Sequence, residues 1–226
     1  MSESVILVAA SGLAREVIEA LEAGCDLKVV GLVDDDPRIH GNNVGGYPVL
    51  GGLEVVQDHP EAQVLICAGR GSVRRALAER LERAGVHEDR WARALDPSVR
   101  VPGSCRVGPG TIVLAGSVLT SDVTLGRHVV VMPRSTLTHD DQIGNYATLC
   151  AGVSLGGSVQ VGPEAYLGMN SSVREGLTLG AGSMLGMGAA LLRDLPAGQT
   201  WAGVPARPLR TNTSSTHDVP DRRSSR

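Results

Sequence analysis

The sequence predicts a small α/β domain over residues 1–94, followed by a left-handed parallel β-helix over residues 95–210. Three observations predict this fold class. In the first third of the chain, apolar runs of strand length alternate with segments of helical spacing. From residue 95 onward every sixth position is aliphatic, as in hexapeptide repeats. The 29 glycines, the absence of Phe and the aromatic content of 2% favour short strands, tight turns and a core of small aliphatic side chains.

The α/β domain is predicted from strand and helix signals that alternate along residues 5–85. A Rossmann-like parallel sheet with crossover helices follows from this order. The strand segments are VILVAA, LKVVGLVDDD and VLICAG, and the helical segments are LAREVIEALEAG and SVRRALAERLERAG.

The β-helix is predicted from an aliphatic residue at every sixth position from Leu95 to Leu191, without a miss. Glycine often follows the aliphatic residue, as in Gly108, Gly126 and Gly144. Three hexapeptides form one triangular coil, so the segment supplies roughly five coils. The alternative, a sandwich of short strands, would show alternation broken by turns of varying length. We therefore expect one uninterrupted β-helix.

Composition limits the function. Lys and Arg number 21 against 24 Asp and Glu, a net charge of -3, so we expect no nucleic-acid partner. No transmembrane run is found, and no membrane partner is expected. The four cysteines form no CxxC pair, which favours a reducing cytoplasm. The polar tail over 211–226 is expected to be disordered.

Histidine followed by two aspartates interrupts the repeat at His139, Asp140 and Asp141. His139 and Asp140 occupy turn positions of their hexapeptide, and a carboxylate beside a histidine is what a general base needs. The alternative is a solvent-exposed corner histidine, the interpretation we also give to His128. Asp141 falls where other repeats carry small or aliphatic residues, so its carboxylate must be hydrogen-bonded if it points inward. Only two histidines lie in the repeats, and we expect no metal site.

The first strand runs into AASGLARE, a glycine turn that opens a helix and lets backbone N–H groups approach a phosphate. A plain reversal into the helix is the alternative. Asp34 and Asp35 follow the second strand, at the sheet edge where α/β proteins bind ligands. Cys150 is more simply a buried structural thiol than an acyl carrier.

Together, the ASG turn, VGLVDDD, THDDQIG, LGMNSSV and WAGVPAR resemble the sugar acyltransferases of the sialic-acid O-acetyltransferase type. Close relatives in that family N-acetylate nucleotide-linked amino sugars, including the bacillosamine precursor. The resemblance covers residues 5–210. It implies a homotrimer with active sites between neighbouring β-helices, acetyl-CoA along the coils and a nucleotide-sugar on the small domain.

By this resemblance the general base is His139, and Asp140 raises its basicity. The substrate-binding positions are Ser11, Gly12, Leu13, Asp34, Asp35 and Gly69, and the acetyl-CoA-binding positions are Thr148, Gly157, Met169 and Met187. Two positions depart from the family pattern, because Leu13 and Thr148 replace histidines that relatives carry. A backbone N–H of Gly156 or Gly157 is expected to stabilise the oxyanion.

The sequence and the resemblance therefore predict an acetyl-CoA-dependent N-acetyltransferase acting on an amino sugar that is nucleotide-linked. Transfer is expected to be direct, with acetyl-CoA as co-substrate and no metal. One alternative is O-acetylation of a sugar hydroxyl, for which the same base would serve. The other is a non-catalytic nucleotide-sugar-binding scaffold, which the two missing histidines permit but the retained His139 and Asp140 argue against.

Overall fold

The computed structural model describes residues 3–24 and 27–209. The tail expected to be disordered, 211–226, lies outside the described residues. The two α-helices are α1 (Gly12–Glu22) and α2 (Gly71–Arg83), and short 3-10 segments cover Pro37–Ile39, Leu53–Asp58 and Glu88–Arg90. Neither helix of this described part has the length and hydrophobicity needed to cross a membrane.

The N-terminal domain is a Rossmann-like sheet of five strands in the order β3-β4-β2-β1-β5, as predicted. All neighbours are parallel except β3 and β4, which form an antiparallel pair. One apolar cluster packs α1 against the sheet and a second packs α2 against its other face. The strands are β1 (Glu3–Val8), β2 (Leu27–Val33), β3 (Asn43–Val44), β4 (Tyr47–Gly51) and β5 (Gln63–Ile66).

The C-terminal part is the predicted left-handed parallel β-helix, built from short strands stacked in three sheets. The strands are β6 (Ala94–Leu95), β7 (Arg106–Val107), β8 (Ile112–Val113), β9 (Val118–Leu119), β10 (Thr124–Leu125), β11 (Val130–Val131), β12 (Thr136–Leu137), β13 (Gln142–Ile143), β14 (Thr148–Leu149), β15 (Ser154–Leu155), β16 (Gln160–Val161), β17 (Tyr166–Leu167), β18 (Ser172–Val173), β19 (Thr178–Leu179), β20 (Met184–Leu185), β21 (Ala190–Leu191), β22 (Thr200–Ala202) and β23 (Arg207–Pro208).

The three sheets form the faces of the β-helix and are named here by order. Face 1 runs β7, β10, β13, β16, β19; face 2 runs β6, β8, β11, β14, β17, β20, β22, β23; face 3 runs β9, β12, β15, β18, β21. The second residue of each strand from β8 to β21 is the aliphatic residue of the repeat, and it is buried in one continuous core. The six-residue frame therefore exists because each aliphatic residue fills one layer of a face.

The expectation of one uninterrupted β-helix from residue 95 is wrong at one position, because Val101 fits the six-residue frame but lies outside every described strand. Along face 3, the amide of Thr120 donates to the carbonyl of Leu137 in the next coil. The equivalent donor one coil earlier is residue 102, which is a proline. Proline has no N–H to give to the ladder, so face 3 begins one coil later, at β9.

The two domains are joined by a buried arginine on α2. Arg74 is 0% exposed and its guanidinium donates six hydrogen bonds, to the carbonyls of Ala68, Gly69, His128, Tyr146 and Ala147 and to the hydroxyl of Thr148. Burial lowers the pKa of Arg74 to about 10. At Gly71 a Cβ would lie 2.1 Å from the carbonyl oxygen of Tyr146, so only glycine permits this approach.

The interpretation of His128 as a solvent-exposed corner histidine is wrong. Its side chain is 0% exposed, stacked on Tyr146 at 5.2 Å between ring centroids and edge-on to Trp91 at 4.6 Å. Burial lowers the pKa of His128 to about 3. The α/β domain covers this corner of the β-helix, so the histidine is a packing residue of the domain interface.

Candidate active site

A cleft of about 910 Å³ lies between the α/β domain and face 2 of the β-helix. The N-terminal ends of α1 and α2 both reach it. Its lining from the α/β domain includes Ser11, Leu13, Gly69, Arg70 and Ser72, and its lining from the β-helix includes Val130, Met132, Thr148, Cys150, Tyr166 and Met184. Three of the predicted substrate-binding residues, Ser11, Leu13 and Gly69, therefore lie in one place.

Hydrogen bonds fix the loops that border the cleft. The hydroxyl of Ser11 donates to the carbonyl of Cys67 at 2.6 Å and accepts from the amide of Ala14 at 3.3 Å. The glycine turn is therefore an N-terminal cap of α1 that is tied to the end of β5. Gly12 begins α1, and Leu13, 8% exposed, gives the cleft an apolar wall at this point.

Thr148, predicted to contact acetyl-CoA, lies in the same cleft. Its hydroxyl donates to the carbonyl of Gly69 at 3.0 Å and accepts from Arg74 at 3.0 Å. The side chain is 3% exposed, and these two hydrogen bonds hold its hydroxyl within the domain interface. Thr148 therefore shapes the floor of the cleft, and its contact with acetyl-CoA stays a prediction.

Asp34 and Asp35 make contacts within the α/β domain. Asp34 accepts from the amides of Ala10 and Asp36, both at 2.9 Å, and so ties the loop after β2 to the loop after β1. Asp35 forms an ion pair with Arg80 at 2.5 Å, with both side chains about half exposed. Among the described residues that line the cleft, neither aspartate is present. Their contact with a nucleotide stays a prediction.

His139 and Asp140 lie together on the corner between face 3 and face 1. The Nδ1 atom of His139 is 2.8 Å from Oδ2 of Asp140, and the side chains are 63% and 59% exposed. A Cβ at Gly157 would lie 2.3 Å from Nε2 of His139. The glycine of the next coil thus leaves room for the ring.

The carboxylate of Asp141, beside this pair, is hydrogen-bonded as expected from its position. Asp141 is 0% exposed; Oδ2 accepts from the amide of Thr138 at 2.8 Å and Oδ1 from the amide of Val159 at 2.9 Å. Burial raises the pKa of Asp141 to about 6, against the lowering effect of these two hydrogen bonds.

The expectation that the Gly156 amide stabilises an oxyanion is wrong, because this N–H donates to the carbonyl of Val173 at 2.9 Å in the face 3 ladder. Gly157 remains the expected donor at this turn. The predicted acetyl-CoA contacts Met169 and Met187 are exposed apolar residues, at 48% and 70%. They follow β17 and β20 on the corner between face 2 and face 3, and the amide of Gly188 stacks their coils by donating to the carbonyl of Met169.

The structure also shows residues that the sequence reasoning missed. Arg70 and Tyr166 line the cleft, and a hydrogen bond with Cys150 raises the pKa of Tyr166 to about 12. No motif signals these residues. The burial of Arg74 could have been predicted, because its helical spacing with Ala78 and Leu81 places it on the buried face of α2. In the described residues, no group of three or more His, Cys, Asp or Glu side chains is arranged to hold a metal ion.

Comparison with known proteins finds one family model and one curated relative. The PglD N-terminal domain family matches residues 4–81. The UDP-N-acetylbacillosamine N-acetyltransferase of Bacillus subtilis (strain 168) is 31% identical over 115 residues, which are 50% of this chain and 52% of that protein. This match therefore spans about half the length of the curated relative.

Solved structures match over nearly the whole chain. PerB from Caulobacter crescentus, in complex with CoA and GDP-perosamine, is 30% identical with a TM-score of 0.85 over 93% of this chain and 99% of PerB. The acetyltransferase domain of PglB from Neisseria gonorrhoeae, in complex with acetyl coenzyme A, is 26% identical with a TM-score of 0.82 over 92% of this chain and 100% of that domain. The fold and these matches agree with the resemblance found in the sequence, and the chain belongs to the hexapeptide-repeat sugar acyltransferases of the sialic-acid O-acetyltransferase type.

Proposed function

We propose that this protein transfers the acetyl group of acetyl-CoA to the amino group of a nucleotide-linked sugar. The observation that carries the proposal is the match to PerB over both domains, whose crystal contains CoA and GDP-perosamine. The contact of His139 with Asp140 at 2.8 Å supports it, because the transfer needs a base. The domain division at residue 94 is part of the proposal, with the nucleotide-sugar on the α/β domain and acetyl-CoA on the β-helix.

The chemistry follows from the geometry of His139. Asp140 accepts the hydrogen bond from Nδ1–H, which leaves the lone pair on Nε2 free. As the sugar amine attacks the thioester carbonyl, Nε2 takes the amine proton, the C–S bond breaks, and the products are the N-acetyl sugar and CoA. Gly157 lies close to Nε2, and its amide is the proposed donor to the oxyanion.

Direct transfer is favoured over an acyl-enzyme on Cys150. This cysteine is 4% exposed, and burial raises the pKa of its thiol. The thiolate, which is the nucleophile, is therefore disfavoured. Cys67 and Cys105 are also free thiols, which supports the proposed cytoplasmic location.

The active site is proposed to form between copies of a homotrimer. Within one chain, the cleft lies against face 2, whereas His139 follows β12 on face 3 and precedes β13 on face 1. His139 is not among the described residues that line the cleft, so we infer that it serves the cleft of a neighbouring copy. A neighbouring copy that places its His139 at this cleft completes the site, and the exposed Met169 and Met187 then line the groove between the two β-helices.

The test is CoA release from acetyl-CoA with a panel of acceptors, followed by mass spectrometry of the product. The panel contains GDP-perosamine, UDP-linked amino sugars and the corresponding sugars with a hydroxyl in place of the amine. Acetylation confined to the amines confirms the proposal. Acetylation of the hydroxyl sugars supports O-acetylation instead, and binding of nucleotide-sugars without CoA release from any acceptor supports the scaffold alternative.

A further inference from the structure

Asp141 places a carboxylate where the β-helix needs none. The same position recurs every six residues, and in the other described coils it holds small or aliphatic residues: Thr111, Ser117, Val123, Val129, Ser135, Ala147, Val153, Val159, Ala165, Ser171, Leu177, Ser183 and Ala189. Asp141 is fully buried there, and taking a carboxylate out of water costs free energy. The architecture of the repeat therefore does not explain this aspartate.

The two hydrogen bonds of Asp141 reach both sides of the catalytic corner. The amide of Thr138, which donates to Oδ2, belongs to the residue directly before His139. The amide of Val159, which donates to Oδ1, lies in the next coil, two residues after Gly157. One carboxylate thus connects the backbone that carries His139 to the backbone that lies beneath the ring.

These bonds also change the ladder next to His139. Strands β12 and β15 share one register pair, Thr136 with Ser154, whereas β12 with β9 and β15 with β18 share two each. The carbonyl of Leu155 accepts from the hydroxyl of Thr138 at 3.2 Å, while the amide of Thr138 turns to Asp141. The pairing of β12 with the next coil therefore ends one residue early, at Thr136, three residues before His139.

We propose that Asp141 is a positioning residue for acyl transfer, which holds the His139 turn in register with Gly157. This inference rests on the proposed function, because it requires His139 to be the base. Nε2 must lie within hydrogen-bond reach of the sugar amine, and a misplacement of about 1 Å costs about 10²-fold in rate. The buried carboxylate stabilises one position of the turn, which a small residue at 141 leaves free to shift.

The test compares Asp141→Ala with a matched control, Thr111→Ala. Thr111 occupies the same repeat position and accepts from the amide of Val129 at 3.1 Å, so its loss removes the same kind of buried bond far from His139. We expect Asp141→Ala to lower kcat by about 10²-fold, with the KM for acetyl-CoA and for the acceptor within about twofold of wild type. Thr111→Ala is expected to keep wild-type kcat, even though its melting temperature falls. Asp141→Asn, which retains one acceptor oxygen, is expected to lie between wild type and Asp141→Ala.

The outcomes separate this inference from the proposed base. If His139→Ala loses activity but Asp141→Ala does not, or if Thr111→Ala loses as much, the positioning role is overturned and the base stands. If His139→Ala stays active, the base itself is overturned. If Asp141→Ala fails to fold, the kcat of Asp141→Asn is compared with that of wild type, and a lowered kcat supports the positioning role while an unchanged kcat overturns it. Crystal structures give a readout without an acceptor: a His139 ring displaced from Gly157 in Asp141→Ala supports the proposal, and an unmoved ring contradicts it.

Discussion

Replacing Arg74 by lysine is expected to weaken the attachment of the α/β domain to the β-helix. The guanidinium makes six hydrogen bonds of 2.8–3.0 Å. An ammonium keeps the charge but has three N–H groups, so at least three of these contacts are lost. At about 1.5 to 3 kcal/mol for each hydrogen bond to a charged group, the loss of three bonds costs about 5 to 9 kcal/mol. That is a large part of the stability of an ordinary domain.

The two tryptophans of the chain allow unfolding at the domain interface and unfolding of the β-helix to be followed separately. Trp91 packs on His128 at the domain interface, whereas Trp201 lies in the last turns of the β-helix, beneath Arg193. Urea unfolding followed by fluorescence in Trp201→Phe and Trp91→Phe backgrounds therefore reports the interface and the β-helix separately. In Arg74→Lys, the transition seen by Trp91 is expected at lower urea than the transition seen by Trp201.

The control is Arg75→Lys, one residue along α2. Arg75 also crosses the interface, through an ion pair with Glu164 at 2.7 Å, but it is 52% exposed. Glu164 is 19% exposed, but Arg75 keeps much of its contact with water and lysine keeps its charge, so Arg75→Lys should lose about 0 to 1 kcal/mol and unfold close to wild type. If Arg74→Lys also unfolds like wild type, or if both lysine variants lose the same stability, the buried arginine is not what holds the domains together.

Three further predictions concern the catalytic corner. Gly157→Ala places a Cβ 2.3 Å from Nε2 of His139, so steady-state kinetics should show kcat reduced by about 10²-fold, and an unchanged kcat would contradict the geometry. Asp140→Asn, with the ring still in place but its charge partner lost, should lower kcat by about 10-fold, less than removal of the base, and a larger loss than in His139→Ala would contradict this ranking. Burial raises the pKa of Asp141 to about 6, so folding favours the protonated carboxyl. The free energy of unfolding of wild type should therefore fall by about 3 kcal/mol, relative to that of Asp141→Asn, as pH rises from about 4 to about 6. Parallel pH profiles of the two proteins in urea unfolding would contradict this prediction.

The fold could be predicted because the β-helix repeats one packing rule, so each hexapeptide confirms the others. The rule failed at Val101, where the next residue, Pro102, has no N–H to donate. The same frame placed His139 and Asp140 on a corner, and it placed Asp141 at a position that other repeats fill with small or aliphatic side chains, since position in the repeat determines direction. His128 occupies a similar corner, but the frame holds no information on which part of another domain covers it.

The cleft could be predicted only in part. The turn that holds Ser11 follows from the strand and helix signals around it, whereas Gly69 was predicted from the family resemblance. The partnership of Gly69 with Thr148 joins residues far apart in the chain, and it depends on how two separately folded units dock. Arg74 contributes hydrogen bonds to that docking. Its place on the buried face of α2 was visible in the helical spacing, although its partners were not.

The most direct test of the central claim is the kinetics of His139→Ala with acetyl-CoA and the nucleotide-linked amino sugar that the wild-type protein acetylates fastest. The account predicts that kcat falls by roughly 10²- to 10⁴-fold, the usual contribution of a general base, with acetyl-CoA affinity unchanged. A variant that keeps more than about half of the wild-type kcat would contradict the account, since a working base contributes at least about 10²-fold.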